Sequence, residues 1–346
     1  MSIKLAINGF GRIGRLSFRR AMEVGGFEVV AINDLTDAAT LAYLLKYDTT
    51  HRNFAVKDIK VSEDGKAIVY KGKAIPVLGQ PDPKLIKWSD FGADIVLECT
   101  GRFKGAEDAK VHVEIGGAKG VIISAPADET TPTFVYGVNT NKLTPEMKVI
   151  SGASCTTNCL APVLKVLQDE FGIEGGLMTT VHAYTNDQTT LDLVKKGDNR
   201  RGRAAAANIV PSSTGAAKAI YLVIPELKGK MAGGAVRVPV IDGSLVDLTM
   251  LLEKPVDPKL INAAMKKAAN AGVLKDVLDY TEDEIVSSDI IGAHAGSIFD
   301  ATQTKVTTLP SGKQLVKVVS WYDNEYSYTC QYIRLAAEFA KVLGVK

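Results

Sequence analysis

The N-terminal glycine motif constrains the fold more than any other feature of this 346-residue chain. Residues 3–8 form the apolar segment Ile-Lys-Leu-Ala-Ile-Asn, and Gly9, Gly11 and Gly14 follow in the spacing G-x-G-x-x-G, before a helical pattern that extends through Met22. Glycines at this spacing permit a tight strand-to-helix turn, let the backbone approach a pyrophosphate and let the helix pack closely on the strand. The pattern therefore predicts the first strand and helix of a dinucleotide-binding domain.

An acidic residue follows the motif at the distance that dinucleotide binding requires. A second predicted strand, residues 27–33, leads directly into Asp34, about twenty residues beyond Gly14. A carboxylate at this point accepts a hydrogen bond from the ribose 2′-hydroxyl of NAD and repels the 2′-phosphate of NADP. The sequence therefore favours NAD as cofactor over the alternative of a glycine-rich turn beside an acidic surface residue.

Apolar segments in the first half of the chain predict a parallel sheet. Strands are expected at residues 67–77, 95–99, 121–124 and 149–151, and the β-branched runs at 95–97 and 121–123 are typical of strands buried on both faces. Ligands bind beyond the carboxyl ends of parallel strands. Thr100-Gly101-Arg102 and Ser124-Ala125-Pro126 follow two such ends, so each either lines the nicotinamide half of the site or forms an ordinary turn.

The pattern changes after Gly172, where the predicted strands become longer and alternate more clearly. These strands, at residues 176–183, 235–240 and 245–252, favour an antiparallel or mixed sheet. We therefore expect an α/β fold with a Rossmann-type doubly wound parallel sheet in residues 1–153. An α+β catalytic domain with a mostly antiparallel or mixed sheet is expected in residues 154–323.

Composition excludes several classes of protein. Lys and Arg number 41 and Asp and Glu 39, so a net charge of +2 gives no overall attraction to nucleic acid or anionic lipid. The four cysteines are irregularly spaced, which argues against a disulfide scaffold, and with four histidines we find no pattern of metal ligands. No apolar run is long enough for a bilayer and no leader is apparent, so a cytoplasmic protein is expected.

Cys155 is the first candidate for covalent chemistry. It opens a helical pattern in which apolar residues recur from Leu160 to Phe171, Gly172 marks the end, and Pro162 is expected to lie early enough to be tolerated in a first turn. A helix start favours a thiolate and lowers the pKa of a cysteine, which makes it a nucleophile. A small buried apolar cysteine fits this segment alone equally well.

Downstream residues add a proton acceptor and anion sites. His182, at the end of a predicted strand, has the side chain best suited to assist a cysteine nucleophile near neutral pH. Arg237 lies inside an apolar run, where an arginine is rarely buried without an anionic partner. Residues 200–203 (Arg-Arg-Gly-Arg) form either a phosphate-binding patch or a solvated charge cluster, and residues 212–215 (Ser-Ser-Thr-Gly) suit anion binding.

Together these motifs resemble those of the phosphorylating glyceraldehyde-3-phosphate dehydrogenase family, essentially from end to end. The matching segments are residues 7–15 (Ile-Asn-Gly-Phe-Gly-Arg-Ile-Gly-Arg), 153–159 (Ala-Ser-Cys-Thr-Thr-Asn-Cys), 182–188 (His-Ala-Tyr-Thr-Asn-Asp-Gln), 213–218 (Ser-Thr-Gly-Ala-Ala-Lys) and 321–325 (Trp-Tyr-Asp-Asn-Glu). The resemblance implies oxidation of D-glyceraldehyde 3-phosphate with NAD and inorganic phosphate to 1,3-bisphosphoglycerate. It also implies a homotetramer and a C-terminal helix, within residues 324–346, that returns to the first domain.

The resemblance also assigns roles to individual residues. Cys155 is implied to be the nucleophile and His182 its base, with a thiohemiacetal and a thioester on the reaction path. The implied phosphate contacts are Thr185 and Arg237 for the substrate's phosphate, and Ser154, Thr156, Arg201, Thr214 and Gly215 for the attacking phosphate. The implied cofactor contacts are Gly9, Gly11 and Gly14 with the main chain of Arg12 and Ile13 at the pyrophosphate, Asp34 at the adenosine ribose, and Ser124 and Asn324 near the nicotinamide.

Two positions depart from the family pattern. Pro81 stands where many members have an arginine that contacts the cofactor, and Val194 stands where NAD-specific members often have proline. Two other functions remain as alternatives: oxidation of erythrose 4-phosphate with hydrolysis of the thioester, and an NAD-responsive binding module without catalysis. The intact pair of Cys155 and His182 argues against the second alternative.

Overall fold

The computed structural model describes residues 2–345, and for Lys218 it describes the backbone alone. These residues form two compact units. The first comprises residues 2–134, 140–153 and 332–345, and the second comprises residues 135–139 and 154–331. The domains expected at 1–153, 154–323 and 324–346 remain predictions, and the two units are described separately below.

The first unit is built on a parallel sheet. Its elements are β1 (Ile3–Asn8), α1 (Arg12–Val24), β2 (Phe27–Asn33), α2 (Ala38–Lys46), β3 (Ile59–Val61), β4 (Ala67–Tyr70), β5 (Lys73–Pro76), β6 (Ile95–Glu98), α3 (Ala106–Ala109), α4 (Val111–Glu114), β7 (Gly120–Ile123) and β8 (Val149–Ser151). Five of the strands pair in parallel in the order β2-β1-β6-β7-β8. The strand order reverses beside β1, which creates a ligand crevice beyond the carboxyl ends of the strands. The predicted Rossmann-type sheet is confirmed.

The strand predicted at residues 67–77 is wrong in one respect, because the chain reverses in its middle. Lys71 and Gly72 have φ angles of 48° and 81°, so β4 and β5 form an antiparallel hairpin. With β3 they make a separate three-stranded sheet, and only Val77 pairs with the large sheet, through a bridge to Ile32. A Lys-Gly turn supplies the left-handed backbone that such a hairpin needs.

The second unit contains a seven-stranded mixed sheet. Its elements are α5 (Cys155–Phe171), β9 (Ile173–Ala183), β10 (Val210–Ser212), α6 (Ala216–Ala219), β11 (Met231–Val238), β12 (Ser244–Leu252), α7 (Pro258–Asn270), β13 (Leu278–Thr281), β14 (Ser297–Thr308) and β15 (Gln314–Tyr322), followed by α8 (Tyr326–Val342), which continues into the first unit. The strand order is β10-β11-β9-β12-β15-β14-β13, with β9 parallel to β11 and antiparallel to β12. The predicted mixed sheet is confirmed.

Helix α5 begins at Cys155, as the sequence predicts. Ser154 caps it by accepting a hydrogen bond from the Thr157 N–H at 3.0 Å, and Gly172, with a φ of 70°, ends it. Pro162 lies inside the helix, well beyond the first turn where it was expected. That expectation was wrong, and the helix continues through the proline because its neighbours Ala161 and Val163 are fully buried in the core.

Within residues 2–345, no helix combines the length and the apolar composition that a membrane crossing requires.

Candidate active site

The structure brings Cys155 and His182 into contact. Cys155 is the first residue of α5, and its Sγ lies 3.5 Å from the Nε2 of His182 near the end of β9. His182 is 4% exposed, and its ring packs edge-on against Tyr322 at a centroid distance of 5.8 Å. A thiol and an imidazole at this distance can exchange a proton.

The His182 Nδ1 atom has two neighbours that require different protonation states of that atom. Nδ1 lies 2.7 Å from the carbonyl oxygen of Ala183, which requires a proton on Nδ1, and 2.8 Å from a guanidinium nitrogen of Arg237, which requires a lone pair. We assign the proton to Nδ1, because Arg237 has other acceptors in Ala183 and Thr185. This tautomer leaves the Nε2 lone pair facing the thiol of Cys155.

The protonation states of Cys155 and His182 differ from those expected from the sequence, which predicted a lowered pKa for the cysteine. Burial raises the pKa of Cys155, while the positive charge of Arg237 and hydrogen bonds with Thr156 lower it less. The expected lowering of this pKa at the helix start is therefore wrong, because loss of solvation outweighs it. Burial and the charge of Arg237 also lower the pKa of His182 to about 3. Near pH 7 the pair is a neutral thiol beside a neutral imidazole.

Arg237 is placed beside His182 by strand pairing, since the two residues face each other between β11 and β9. Its guanidinium lies 3.1 Å from the carbonyl oxygen of Ala183 and 3.3 Å from the hydroxyl of Thr185. The Nε of Arg237 is buried and makes no hydrogen bond with any residue in the described part of the chain. A buried cationic donor without an acceptor is suited to an anionic ligand.

Arg201 lies beside the other predicted anion-binding segment. It forms ion pairs with Asp187 and Asp198, and its guanidinium donates to the Ser213 carbonyl at 3.4 Å, next to Thr214 and Gly215. The first N–H of α6, from Ala216, donates to the Thr214 hydroxyl at 3.2 Å. The side chain of Arg201 is therefore held by two carboxylates. This arrangement matches neither of the two alternatives for residues 200–203, a phosphate-binding patch or a solvated charge cluster.

The two hydroxyls that flank Cys155 already have protein partners. Ser154 bonds Thr157, and the Thr156 hydroxyl lies 2.9 Å from the hydroxyl of Tyr322. Tyr322 is fully buried and also bonds the Thr180 hydroxyl at 2.8 Å. Sequence reasoning missed Tyr322 as a support for both Thr156 and His182, although it lies in the Trp-Tyr-Asp-Asn-Glu segment.

The first unit contains a pocket of about 260 Å³ at the glycine motif, lined by Gly9, Gly11, Asp34, Thr100 and Arg102, among others. A side chain at Gly14 would place its Cβ 2.1 Å from the carbonyl oxygen of Gly9, so only glycine fits there. The carboxylate of Asp34 accepts a hydrogen bond from the Phe10 N–H at 2.7 Å, which joins the end of β2 to the glycine turn.

Other predicted cofactor residues are placed differently. Pro81 lines the pocket at the position of the usual arginine, whereas Ser124 and Ile13 are not among its lining residues. The guanidinium of Arg12 pairs with Asp48, so its side chain is committed within the protein. Asn324 lies in the second unit and is 5% exposed, and its Oδ1 accepts a hydrogen bond from the Ser244 hydroxyl at 2.7 Å.

Comparison with known proteins identifies the family. The model of the glyceraldehyde 3-phosphate dehydrogenase NAD binding domain matches residues 3–106, and that of the C-terminal domain matches residues 154–324. The glyceraldehyde-3-phosphate dehydrogenases of Clostridium pasteurianum and Clostridium acetobutylicum are 57% and 56% identical over 340 residues, covering 98% of this chain and 99% of each relative. That of Streptococcus pyogenes serotype M1 is 55% identical over 343 residues, covering 99% of both chains.

The chain belongs to the glyceraldehyde-3-phosphate dehydrogenase family. As a member of that family it is an oxidoreductase with NAD as its cofactor. The pocket of the first unit fits this cofactor. Gly11 lines the pocket and a Cβ there would meet no atom within 4 Å, so the backbone is open to a pyrophosphate at this point, and the carboxylate of Asp34 suits a ribose hydroxyl.

Proposed function

We propose that this chain catalyses the phosphorylating oxidation of D-glyceraldehyde 3-phosphate to 1,3-bisphosphoglycerate. The observation that carries the proposal is the 3.5 Å contact between the Cys155 Sγ and the His182 Nε2, beside the unsatisfied Arg237 Nε. Membership of the dehydrogenase family supports the substrate and the cofactor.

The first step is attack of Cys155 on the aldehyde. As the Sγ bonds to the aldehyde carbon, the thiol proton passes to the His182 Nε2, and the carbonyl oxygen becomes an oxyanion. The new Nε2–H of His182 and the backbone N–H of Cys155 at the start of α5 are the donors available to stabilise that oxyanion. Return of the proton from Nε2 to the oxyanion completes the thiohemiacetal.

Oxidation then produces an acyl group on the cysteine. His182 removes the hydroxyl proton of the thiohemiacetal as its carbon loses a hydride, and the product is a thioester on Cys155. NAD, when bound, accepts that hydride. An oxygen of inorganic phosphate attacks the thioester carbon, the carbon–sulfur bond breaks, and 1,3-bisphosphoglycerate leaves. The Cys155 thiolate that remains takes back the proton that the His182 Nε2 acquired in the oxidation, and the proton of the attacking phosphate passes to solvent.

The phosphate and cofactor contacts belong to the same proposal. Thr185 and Arg237 bind the substrate's phosphate, and the buried unsatisfied Nε of Arg237 supports this role. The remaining contacts are Ser154, Thr156, Arg201, Thr214 and Gly215 for the attacking phosphate, and Gly9, Gly11, Arg12, Ile13, Gly14, Asp34, Ser124 and Asn324 for NAD. The contact implied for Arg12 is made by its main chain, and the ion pair of its side chain with Asp48 is compatible with that contact.

Assembly and location complete the proposal. We propose a homotetramer, supported by the exposed apolar residues Leu191, Leu193 and Val194, of which Val194 is 93% exposed. We propose a cytoplasmic location, supported by four cysteines that are all free thiols.

Measurement of NADH absorbance tests the proposed reaction. NADH should form with glyceraldehyde 3-phosphate, NAD and inorganic phosphate together, and weakly or not at all when phosphate is omitted. Faster turnover of erythrose 4-phosphate without a phosphate requirement would favour the first alternative, and no NADH with either aldehyde would favour a binding module. Cys155→Ser should lose turnover by at least about three orders of magnitude while it still binds NAD.

Cys159→Ser is the matched control for this experiment. Cys159 is fully buried one helical turn further along α5, where its Sγ lies 3.5 Å from the Ser297 hydroxyl and 3.7 Å from the carbonyl oxygens of Ser320 and Trp321. A serine there should keep most of the activity. Substantial activity in Cys155→Ser would contradict the covalent mechanism.

A further inference from the structure

We infer that Glu98 is a positioning residue for the cofactor: its buried carboxylate, held by His112 and Trp88, fixes the side chains that line the pocket at the glycine motif. None of these three residues lines the pocket itself, and all of them belong to the first unit. The inference rests on the proposed function in one respect, the binding of NAD in this pocket, and it assigns no step of the reaction.

Trp88, His112 and Glu98 form a chain of side chains that are each at most 1% exposed. The Trp88 Nε1–H donates to the His112 Nδ1 at 3.0 Å, and the His112 Nε2 lies 3.1 Å from the Glu98 Oε2. An indole N–H can only donate, so Nδ1 is the acceptor and the imidazole carries its proton on Nε2. His112 therefore donates to Glu98, and both of its ring nitrogens are occupied.

Glu98 also accepts hydrogen bonds from two residues that do line the pocket. The Asn8 Nδ2 donates to its Oε2 at 2.5 Å, and Thr100 donates to its Oε1 twice, from the backbone N–H at 2.8 Å and from the hydroxyl. Four donors thus share two buried oxygens, which offsets the cost of burying a carboxylate. Glu98 is the last residue of β6, so these bonds form at the carboxyl end of the sheet, where ligands bind.

The bond to Asn8 continues to a second wall of the pocket. Because Asn8 turns its Nδ2 toward Glu98, its Oδ1 accepts from the Asn33 Nδ2 at 2.8 Å. The same amide of Asn33 donates to the Gln80 carbonyl at 2.9 Å and accepts from the Gln80 N–H at 2.8 Å. Asn33 and Gln80 also line the pocket. A carboxylate at Glu98 only accepts, so it sets the direction of both asparagine amides.

A third wall is the turn that follows β6. The ring of His112 packs edge-on against Phe103 at a centroid distance of 6.0 Å, and the Thr100 hydroxyl accepts from the Arg102 N–H at 3.1 Å. Phe103 and Arg102 line the pocket as well. One buried chain therefore supports three walls of one pocket, which is the basis for assigning it to cofactor binding.

Binding of ADP-ribose and NAD to nucleotide-free protein, measured by calorimetry, tests the inference. Glu98→Gln keeps the size of the side chain but replaces an acceptor oxygen by a donor, which opposes the N–H groups of Asn8 and His112. It should weaken the binding of both nucleotides about fivefold or more. The KM for NAD should rise by a similar factor, while kcat at saturating NAD stays within about twofold.

His112→Phe is a second test, because it acts on Glu98 from the side away from the pocket. The new ring can still pack against Phe103, but the donor to Glu98 and the acceptor for Trp88 are lost. Binding of ADP-ribose should weaken in the same direction, by about threefold. If Glu98→Gln fails to fold, this variant decides.

Asp300→Asn is the matched control in the second unit. Asp300 is a buried carboxylate that, like Glu98, accepts from the N–H and hydroxyl of the threonine two residues further on, here Thr302, and from a ring N–H, that of Trp321 at 3.0 Å. It does not line the pocket, so both dissociation constants should equal those of the wild type. Equal weakening in this control would overturn the inference.

The fitted stoichiometry separates positioning from folding, since it counts competent protein while the dissociation constant describes each folded site. A lower stoichiometry with unchanged dissociation constants and an unchanged KM for NAD would show a merely structural role for Glu98 and overturn the inference. A wild type that binds neither nucleotide would show that the assignment of NAD to the pocket is wrong. A wild type that binds both but forms no NADH would contradict the proposed reaction and leave the positioning role in place.

Discussion

At the scale of single residues, Cys155 shows two opposing effects on one thiol. Its position at the start of α5 favours the thiolate, but burial is stronger and raises the pKa of Cys155. A thiolate is then produced only when a base takes the proton, and His182 is the base in contact with the Sγ. His182 remains neutral because burial and Arg237 lower its pKa to about 3.

His182→Asn should therefore slow the alkylation of Cys155 by iodoacetamide at pH 7, by about tenfold or more, because the proton acceptor is lost. The difference between the two proteins should shrink as the pH rises through the thiol pKa, since hydroxide then produces the thiolate in both. In the wild type, the rate should have no inflection near pH 6.5, because His182 does not titrate there. Equal rates at pH 7, or a clear inflection near pH 6.5, would contradict this account.

Asp34 is a second single residue with a predicted effect, the preference for NAD over NADP. Its carboxylate would repel a 2′-phosphate, and it also accepts the Phe10 N–H that holds the glycine turn. Asp34→Gly should lower the NAD-over-NADP ratio of kcat/KM by about tenfold or more. Asp34→Asn is the matched control, because it keeps an acceptor for Phe10 and removes only the charge, so its ratio should fall in the same direction. If both variants keep the wild-type NAD-over-NADP ratio, residues other than Asp34 determine the cofactor preference.

At the scale of the element, the first strand, turn and helix depend on glycines for different reasons. A Cβ at Gly14 would lie 2.1 Å from the Gly9 carbonyl oxygen, whereas a Cβ at Gly11 would meet no atom within 4 Å. Gly14→Ala should thus lower the unfolding free energy by about 1–3 kcal/mol or more. Gly11→Ala should unfold at nearly the wild-type temperature but bind NAD more weakly, since its methyl group enters the pocket. Thermal unfolding and calorimetry measure both, and equal stability losses would contradict the packing argument.

Local sequence patterns predicted the elements well where start and stop signals in the sequence mark their ends. The bounds of β1, β2 and β8 agree with the prediction, and α5 begins at Cys155 and ends before Gly172, as the helical pattern predicts. The prediction of one strand at residues 67–77 was wrong because the apolar residues on both sides of Lys71-Gly72 outweighed the turn signal of these two residues. Sequence reasoning also could not predict contacts between distant elements. The hydrogen bonds from Tyr322 to Thr156 and Thr180 join β15 to α5 and β9, and they depend on how these elements pack in three dimensions.

At the scale of the whole molecule, the exposed apolar residues argue for association of several copies. The segment between β9 and β10 exposes four apolar side chains by 69–93%: Leu191, Leu193, Val194 and Ile209. The net charge of the chain is only +2, so charge repulsion between copies is weak. Apolar surface of this kind is unfavourable in water and is usually covered by a partner. A second copy of the same chain is the partner that the proposed tetramer supplies.

Light scattering coupled to size exclusion should give a mass of about four times the 37.0 kDa chain. Leu193→Asp combined with Val194→Asp should shift the protein toward smaller species, because two desolvated carboxylates would oppose burial. Val273→Asp is the matched control, since Val273 is 73% exposed but lies between α7 and β13, away from this loop in the chain. Its mass should equal that of the wild type. A monomeric wild type, or a tetramer that the double variant leaves intact, would show that residues 191–194 are not the surface on which the copies meet.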